Sequence, residues 1–376
     1  MIRPCQIDLI VGTRPNIVKL GPLARALSST DWCRPRVVFL EQHSATEMSD
    51  QILSDLGVDA SQLLRIALPR ANYGQRIGDM IASYDAELRH APADLVVVFG
   101  DVDATLAAAL AARRLDIPVA HVEAGLRSHD RRMPEELNRL MVDAIADMFF
   151  ATSEDAVDTL VRVEGKPAST VHFVGNLMID SLVSTADRAA GASLCEAMGV
   201  EPHGFAAATF HRPSNVDEPG TLEDVIALLE AAASRLPVVL PLHPRTSASL
   251  ERHGLRARLD AIQGLRVTPP IGYRDFISLV SVARVVLTDS GGLQEETSYF
   301  GIPCITVREN TERPVTISLG TNRLASCQGA AAILNQVLDE PMHTAPSIPL
   351  WDGRTADRIA EILSAWWQRR PREPAA

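Results

Sequence analysis

Apolar residues come in short unbroken runs along this chain. Each run ends at a turn residue and is followed by a stretch with helical spacing. Residues 7–11 form one such run, closed by Gly12 and followed by "NIVKLGPLARAL", whose apolar positions recur at the period of a helix face. Residues 36–40, 94–100 and 117–122 repeat the pattern. An Ala- and Leu-rich helix is predicted at 104–114, and another opens on Pro134, a residue favoured in the first helical turn. "MFFAT" and "VHFVGN" complete the first half. The second half reads alike, with strands at 205–210, 237–242, "LRVTPP", 284–290 and 303–307. Helical stretches "TLEDVIALLEAAASRL", "SASLERHGLRARL" and "DFISLVSVA" separate them. Continuous Val/Ile/Leu runs mark strands buried on both faces. Strands alternating with helices predict an α/β fold with parallel, doubly wound sheets.

A length of 376 residues is long for one core and divides naturally in two. The expected domains are 1–175 and 176–376, with the last helix packing back on the first domain. The segment "LCEAMGV" after the boundary reads as connection. Two such domains are expected to face each other across a deep cleft, with ligands beyond the carboxyl ends of the strands. The formal net charge of −11 argues against a nucleic-acid partner, because phosphate backbones require clustered Lys and Arg. Five scattered cysteines, with no CxxC pair, predict a reducing, cytoplasmic setting. The apolar run before Gly12 is too short for a signal peptide, and no run approaches a membrane span. No HExxH or EF-hand spacing occurs, so no metal is expected.

Strand exits are then the places to look for chemistry. After the first strand, Gly12 permits a tight turn, and Arg14 and Lys19 flank a helix start suited to an anion. Asp101 and Asp103 follow the run 94–100. Asp103 is placed to cap the next helix, which leaves Asp101 for function. The stretch "HVEAGLRSHDRRMPEELNR" sets Glu123 at a strand tip. Glu135 and Arg139 share a helix face, while "RSHDRR" reads as a loop with solvated charges. An ion-paired, capped helix accounts for Glu135 and Arg139 but not for Glu123 or Asp101. Two acids at neighbouring strand tips suggest a tuned carboxylate cluster. In the second half, His211–Arg212 and His243–Arg245 stand at successive exits. "LTDSGGLQEE" brings Ser290, Gly291 and Gly292 to a helix start fit for phosphate, with Glu296 one turn on to hold a ribose. "RENTERP" packs Arg308, Glu309, Glu312 and Arg313 after the next strand.

Taken in order, "GTRPNIVKLGPL", "FGDVDATLA", "HVEAGLRS", "MPEELNR", "VGNLMID", "HRPSNVD", "HPRT", "TDSGGLQEE", "GIPCITVRENTERP" and "GTNRL" resemble the bacterial non-hydrolysing UDP-N-acetylglucosamine 2-epimerase family over residues 7–324. The resemblance implies a GT-B-like fold of two Rossmann-like domains, no cofactor, and a homodimer. It implies reversible inversion at C2 of UDP-GlcNAc, giving UDP-ManNAc, by elimination of UDP to a 2-acetamidoglucal and re-addition. It makes Asp101, Glu123, Glu135 and His211 catalytic. It places Arg139 beside the acids, where it could hold Glu135 ionised, and His243 in the substrate site. Arg14, Lys19 and Arg313 would face the diphosphate, Ser290, Gly291 and Gly292 a phosphate, Glu296 the ribose and Phe276 the uracil. Gln42, His43, Glu136, Arg212 and His243 match part of a second, activating substrate site found in many members. The spacing of "QHSATEMSDQ" departs from that site, and Asn16 and "HRPSN" stand where Glu and "HRREN" are common. A hydrolysing epimerase, a GT-B glycosyltransferase and a non-catalytic sugar-nucleotide sensor are the competing readings.

Overall fold

The computed structural model describes residues 3–42, 63–68, 72–341 and 345–370. The chain forms two compact units. One comprises Met1–Ser181 and Pro349–Ala376, and the other, Leu182–Ile348, is inserted between those two segments.

The first unit holds a seven-stranded sheet. Its strands are β1 (Cys5–Val11), β2 (Cys33–Gln42), β3 (Leu63–Leu68), β4 (Leu95–Phe99), β5 (Val119–Val122), β6 (Met148–Ala151) and β7 (Val171–Phe173). They lie in the order β3-β2-β1-β4-β5-β6-β7 and every pair is parallel. Alternate residues of a strand point to opposite faces. Thus Ile7, Leu9 and Val11 enter one core with Ile17, Leu20 and Leu23 of the helix Arg14–Ser28. Ile10 enters the other core, with Tyr84 and the alanines of the helix Asp103–Arg114. Full burial of a leucine such as Leu9 contributes about 1.5–3 kcal/mol. Ala356, Ile359, Ala360 and Leu363 of the helix Thr355–Arg369 complete the first core, so the end of the chain returns to the unit in which it began.

The second unit carries β8 (Ala206–Thr209), β9 (Val238–Pro241), β10 (Leu265–Thr268), β11 (Val285–Thr288), β12 (Cys304–Val307) and β13 (Asn322–Ala325). Their order, β10-β9-β8-β11-β12-β13, repeats the first sheet's winding, again all parallel. In each sheet the winding reverses beside the first strand, between β1 and β4 and between β8 and β11. The crevice outside such a reversal is where ligands of doubly wound folds bind.

Several elements differ from the sequence pattern. Residues around "LCEAMGV" are not a bare connection. They lie in the helix Arg188–Met198, which buries Cys195 and brings Gly191 against the Ser278 carbonyl. The predicted helix "SASLERHGLRARL" breaks in two at Gly254, whose φ of 67° ends Pro244–Arg252 before Arg256–Asp260 begins. Gly12 serves close packing, because a Cβ there would stand 2.3 Å from the Cβ of Ala104.

Gly175 ties the returning segment to the first unit. Its φ is 91°, and a Cβ would meet the Leu350 carbonyl oxygen at 2.2 Å. Gly175→Ala is expected to lower stability by about 1–3 kcal/mol from backbone strain alone, with the clash adding to it. Urea unfolding followed by circular dichroism measures this; an unchanged midpoint would contradict the packing described.

Candidate functional site

The reversal in the first sheet gathers three strand exits. After β1, the helix Arg14–Ser28 begins at once, and buried Asn16 donates from Nδ2 to the Phe99 carbonyl at 3.0 Å. Thr105 Oγ1 donates to the same carbonyl at 2.7 Å. These bonds fix the start of the helix against the end of β4. Lys19, further along that helix, places Nζ 2.6 Å from Oε2 of Glu123. Both residues are buried. The other carboxylate oxygen of Glu123, Oε1, is buried without a hydrogen-bond partner. Glu123 also sits at φ 67°, a left-handed conformation unusual for a side-chain-bearing residue. Strain and an orphaned polar atom on one residue are together a functional signature. Lys19, expected to face a diphosphate, is thus the partner of Glu123.

Asp101, just past β4, pairs with the Arg139 guanidinium. Arg139 lies on the helix Pro134–Ile145, and its Nε and a terminal nitrogen also reach Glu136 Oε2 at 3.0 and 2.7 Å. The sequence had paired Arg139 with Glu135. The structure instead turns Glu136 inward with Asn138 and Arg139, and leaves Glu135 exposed. Glu136 further accepts from Ser128 N, Ser128 Oγ and His129 N at 2.9–3.0 Å. Burial opposes ionisation of Glu136, but those donors and Arg139 outweigh it and hold its carboxyl below the usual range. Asp103 is not the helix cap. Val102 occupies that position, and Asp103 follows it in an ion pair with Arg76.

The segment "RSHDRR" is not a solvated loop throughout. Arg127 and Ser128 are buried, and Arg127 donates to Asp143 Oδ2 at 2.6 Å. Asp143 also accepts from Gly125 N at 3.1 Å and faces His121 Nδ1 at 2.6 Å. Burial would raise the Asp143 carboxyl, but the charges of His121 and Arg127 bring it below its usual range. Motif spacing gives no role to His121 or Asp143, and Arg127 opens the stretch expected to be solvated. The available signal was Asp143, one helical turn beyond Arg139 and on the same inner face.

In the second unit the organiser is Asp289, also passed over. Fully buried just after β11, it accepts from the backbone amides of His211 and Arg212 and from Asn215 Nδ2, at 2.9–3.1 Å. The His211 ring lies with Nδ1 3.2 Å from Asp289 Oδ1, and its centroid is 5.1 Å from that of His243. Burial, helped by the charges of Arg212 and Arg245, lowers the His211 pKa against the pull of Asp289. A neutral imidazole able to take a proton results. His243 caps the helix Pro244–Arg252, its Nδ1 accepting from Arg245 N at 3.1 Å. Arg212 Nε donates to the Asp289 carbonyl at 2.9 Å.

Ser290 caps the helix Gly291–Phe300, so Gly291 and Gly292 supply first-turn amides that lack intrahelical acceptors. A Cβ on Gly291 would meet an Arg313 guanidinium nitrogen at 3.0 Å, so the helix start and this cation adjoin. Arg313 pairs with Glu312, and its Nε lies 2.9 Å from Glu295 Oε1. Arg308 reaches Glu312 at 2.9 Å. Glu296 receives the Tyr273 hydroxyl at 2.8 Å on Oε1. Phe276 lies in the same short helix as Tyr273, Tyr273–Val280, and is partly buried. Arg14 opens its helix and Gln42 ends β2; the side chains of both, and His43 entirely, lie outside the described residues. Among the described residues, no group of His, Cys, Asp and Glu could hold a metal ion, and no helix is long and apolar enough to cross a membrane.

Two doubly wound parallel units, each with charged groups at its winding reversal, define an α/β enzyme of the GT-B-like class. The family profile described as UDP-N-acetylglucosamine 2-epimerase matches residues 25–364. A UDP-2,3-diacetamido-2,3-dideoxy-D-glucuronate 2-epimerase of Pseudomonas aeruginosa is 35% identical over 370 residues, covering 96% of this chain and 99% of the relative. A UDP-N-acetylglucosamine 2-epimerase of Methanocaldococcus jannaschii is 33% identical, with the same coverage. The crystal structure of the M. jannaschii UDP-GlcNAc 2-epimerase in complex with UDP-GlcNAc and UDP superposes with a TM-score of 0.86 at 32% identity, over 96% of this chain and 99% of that one. The chain belongs to the UDP-N-acetylglucosamine 2-epimerase family.

Burial pushes the Glu296 carboxyl up to about 7, with the charge of Glu295 adding to it and Tyr273 and Arg313 opposing. Free glutamate ionises near 4.3. The folded state therefore holds an extra proton between those values, and stability falls as pH rises through that window. Above it the cost is roughly 4 kcal/mol, at 1.4 kcal/mol per pKa unit. Glu296→Gln, which keeps an acceptor for Tyr273, is expected to raise Tm at pH 8.5 and leave it unchanged at pH 4. Calorimetry at both values is the test, and equal shifts at both would refute it.

Proposed function

We propose that this protein interconverts UDP-N-acetylglucosamine and UDP-N-acetylmannosamine by eliminating UDP to a 2-acetamidoglucal and adding it back. The observation that carries this reading is the pair of separately held carboxylates at adjacent strand exits, Glu123 on Lys19 and Asp101 on Arg139. Inversion at C2 requires one group to take a proton from one face and another to return it on the opposite face. Two acids, each with its own cation, can hold different protonation states during a cycle. His211, neutral and oriented by Asp289, and exposed Glu135 are further proton carriers in this reading.

The second unit would bind the nucleotide. Ser290, Gly291 and Gly292 offer amides, Arg313 a cation, Glu296 a ribose acceptor and Phe276 an aromatic ring. Donors to the departing diphosphate strengthen as its charge grows. Five cysteines without disulfides support a reducing, cytoplasmic setting. A homodimer belongs to the same reading.

The P. aeruginosa relative favours a second reading, in which the sugar is a 2,3-diacetamido uronate instead of GlcNAc. Proton NMR in D2O with each UDP-sugar separates the two. The expected result with UDP-GlcNAc is deuterium at C2 and an equilibrium with UDP-ManNAc. Free UDP accumulating with ManNAc would indicate a hydrolysing enzyme, and no exchange with either sugar would sink the proposal. Asp101→Asn and Glu123→Gln should each lower kcat by about 10²–10⁴-fold. UDP affinity, measured by calorimetry, should stay within about threefold of wild type if these acids act on the C2 proton.

A further inference from the structure

We infer that His121 is a positioning residue for this reaction: an imidazole that donates from both ring nitrogens and thereby locks together the β4 and β5 exits that carry Asp101 and Glu123. The inference rests on the acid–base reading of those two carboxylates given above.

His121 lies on β5 and is wholly buried. Its Nε2 stands 2.8 Å from the Gly100 carbonyl, which can only accept, so Nε2 carries a proton. Its Nδ1 stands 2.6 Å from Asp143 Oδ1. The other oxygen of Asp143 already takes the Gly125 amide at 3.1 Å and Arg127 at 2.6 Å. The Arg127 guanidinium at 2.6 Å keeps this buried carboxyl ionised, so Asp143 can only accept. Nδ1 therefore donates as well. The ring joins two exits in this way. One bond ends on Gly100, the residue before Asp101. The other ends on Asp143, which grips Gly125, two residues after Glu123.

That placement answers a specific need. Glu123 stands at φ 67° and Gly100 at φ 63°. Glycine adopts this conformation freely, but a glutamate stays there only when its surroundings fix it. The amides of Glu123 and Ala124 both donate to the Phe150 carbonyl at 3.1 and 3.2 Å, and the Gly100 amide donates to the Val122 carbonyl at 3.0 Å. The His121–Asp143 bond closes the remaining side. Arg127 in turn pairs with partly exposed Glu164, so two cations and two anions alternate from the buried ring outward. Removing one member leaves a buried charge without its partner.

Two isosteric variants divide the role. In His121→Asn the amide nitrogen stands near the place of Nδ1, keeping Asp143 and losing Gly100. In His121→Gln it stands near the place of Nε2, keeping Gly100 and losing Asp143. Each should lower kcat for C2 inversion roughly a hundredfold, with KM and UDP affinity changed by less than about threefold. In the wild type, nitrogen-15 NMR of the His121 ring should report both nitrogens protonated at neutral pH. Active wild-type protein whose two variants keep full kcat, whatever their Tm, overturns the inference. So does a neutral His121 tautomer in the spectrum, a measurement that stands even if neither variant folds. Wild-type protein that performs no C2 exchange overturns instead the reading on which this one rests.

Discussion

A carboxylate taken out of water must be given a cation or it will keep its proton, and the first unit of this protein is arranged around that constraint. Glu123 follows a strand inside the fold, where an unpaired charge would be costly. Lys19 supplies the charge from a different element, the helix after β1. The ion pair also fixes local geometry. It sets how that helix must start, which Asn16 and Thr105 secure through the Phe99 carbonyl, and it commits one oxygen of Glu123 while leaving the other open. Asp101 repeats the solution with Arg139, and Asp143 with His121 and Arg127. Arg139 also serves Glu136, and Arg127 also serves Glu164, so the cations link the acids into pairs.

The second unit uses the same constraint differently. Asp289 gathers backbone amides, so its charge is spread over the turn that carries His211 and Arg212. Glu296 is left nearer neutrality, with the Tyr273 hydroxyl on it and the cation Arg313 shared among other acids. Glu136 and Asp143 in the first unit are held below the usual carboxylate range, whereas burial lifts Glu296 to about 7.

The α/β class, most strands and the strand exits that matter were legible because short Val/Ile/Leu runs ending in turn residues have few other meanings. Asp101, Glu123, Ser290 and Gly291 lay at those exits and could be singled out from position alone. What was not legible required knowing which face of a helix turns inward. Glu135 and Glu136 are adjacent, and only packing of the helix Pro134–Ile145 decides that Glu136 receives Arg139. Spacing alone does not choose between them, because i,i+4 and i,i+3 pairs both meet on a bare helix. His121 and Arg127 were hidden for a related reason. A charged residue near a strand end looks solvent-facing until its long-range partner, here Asp143 or Glu164, is known.

The return of the chain to its first unit has a consequence for how the molecule comes into being. Residues 14–28 precede the inserted unit, yet the apolar groove they line is filled by Ala356, Ile359 and Leu363, which follow it. The inserted unit, Leu182–Ile348, has its own core and all its strands before that point. The inserted unit can thus be complete before the core that precedes it in the chain is sealed. A nascent chain carries an open flank beside Leu20 and Leu23 until the helix Thr355–Arg369 arrives, and a truncation that removes that helix would leave the flank open for good.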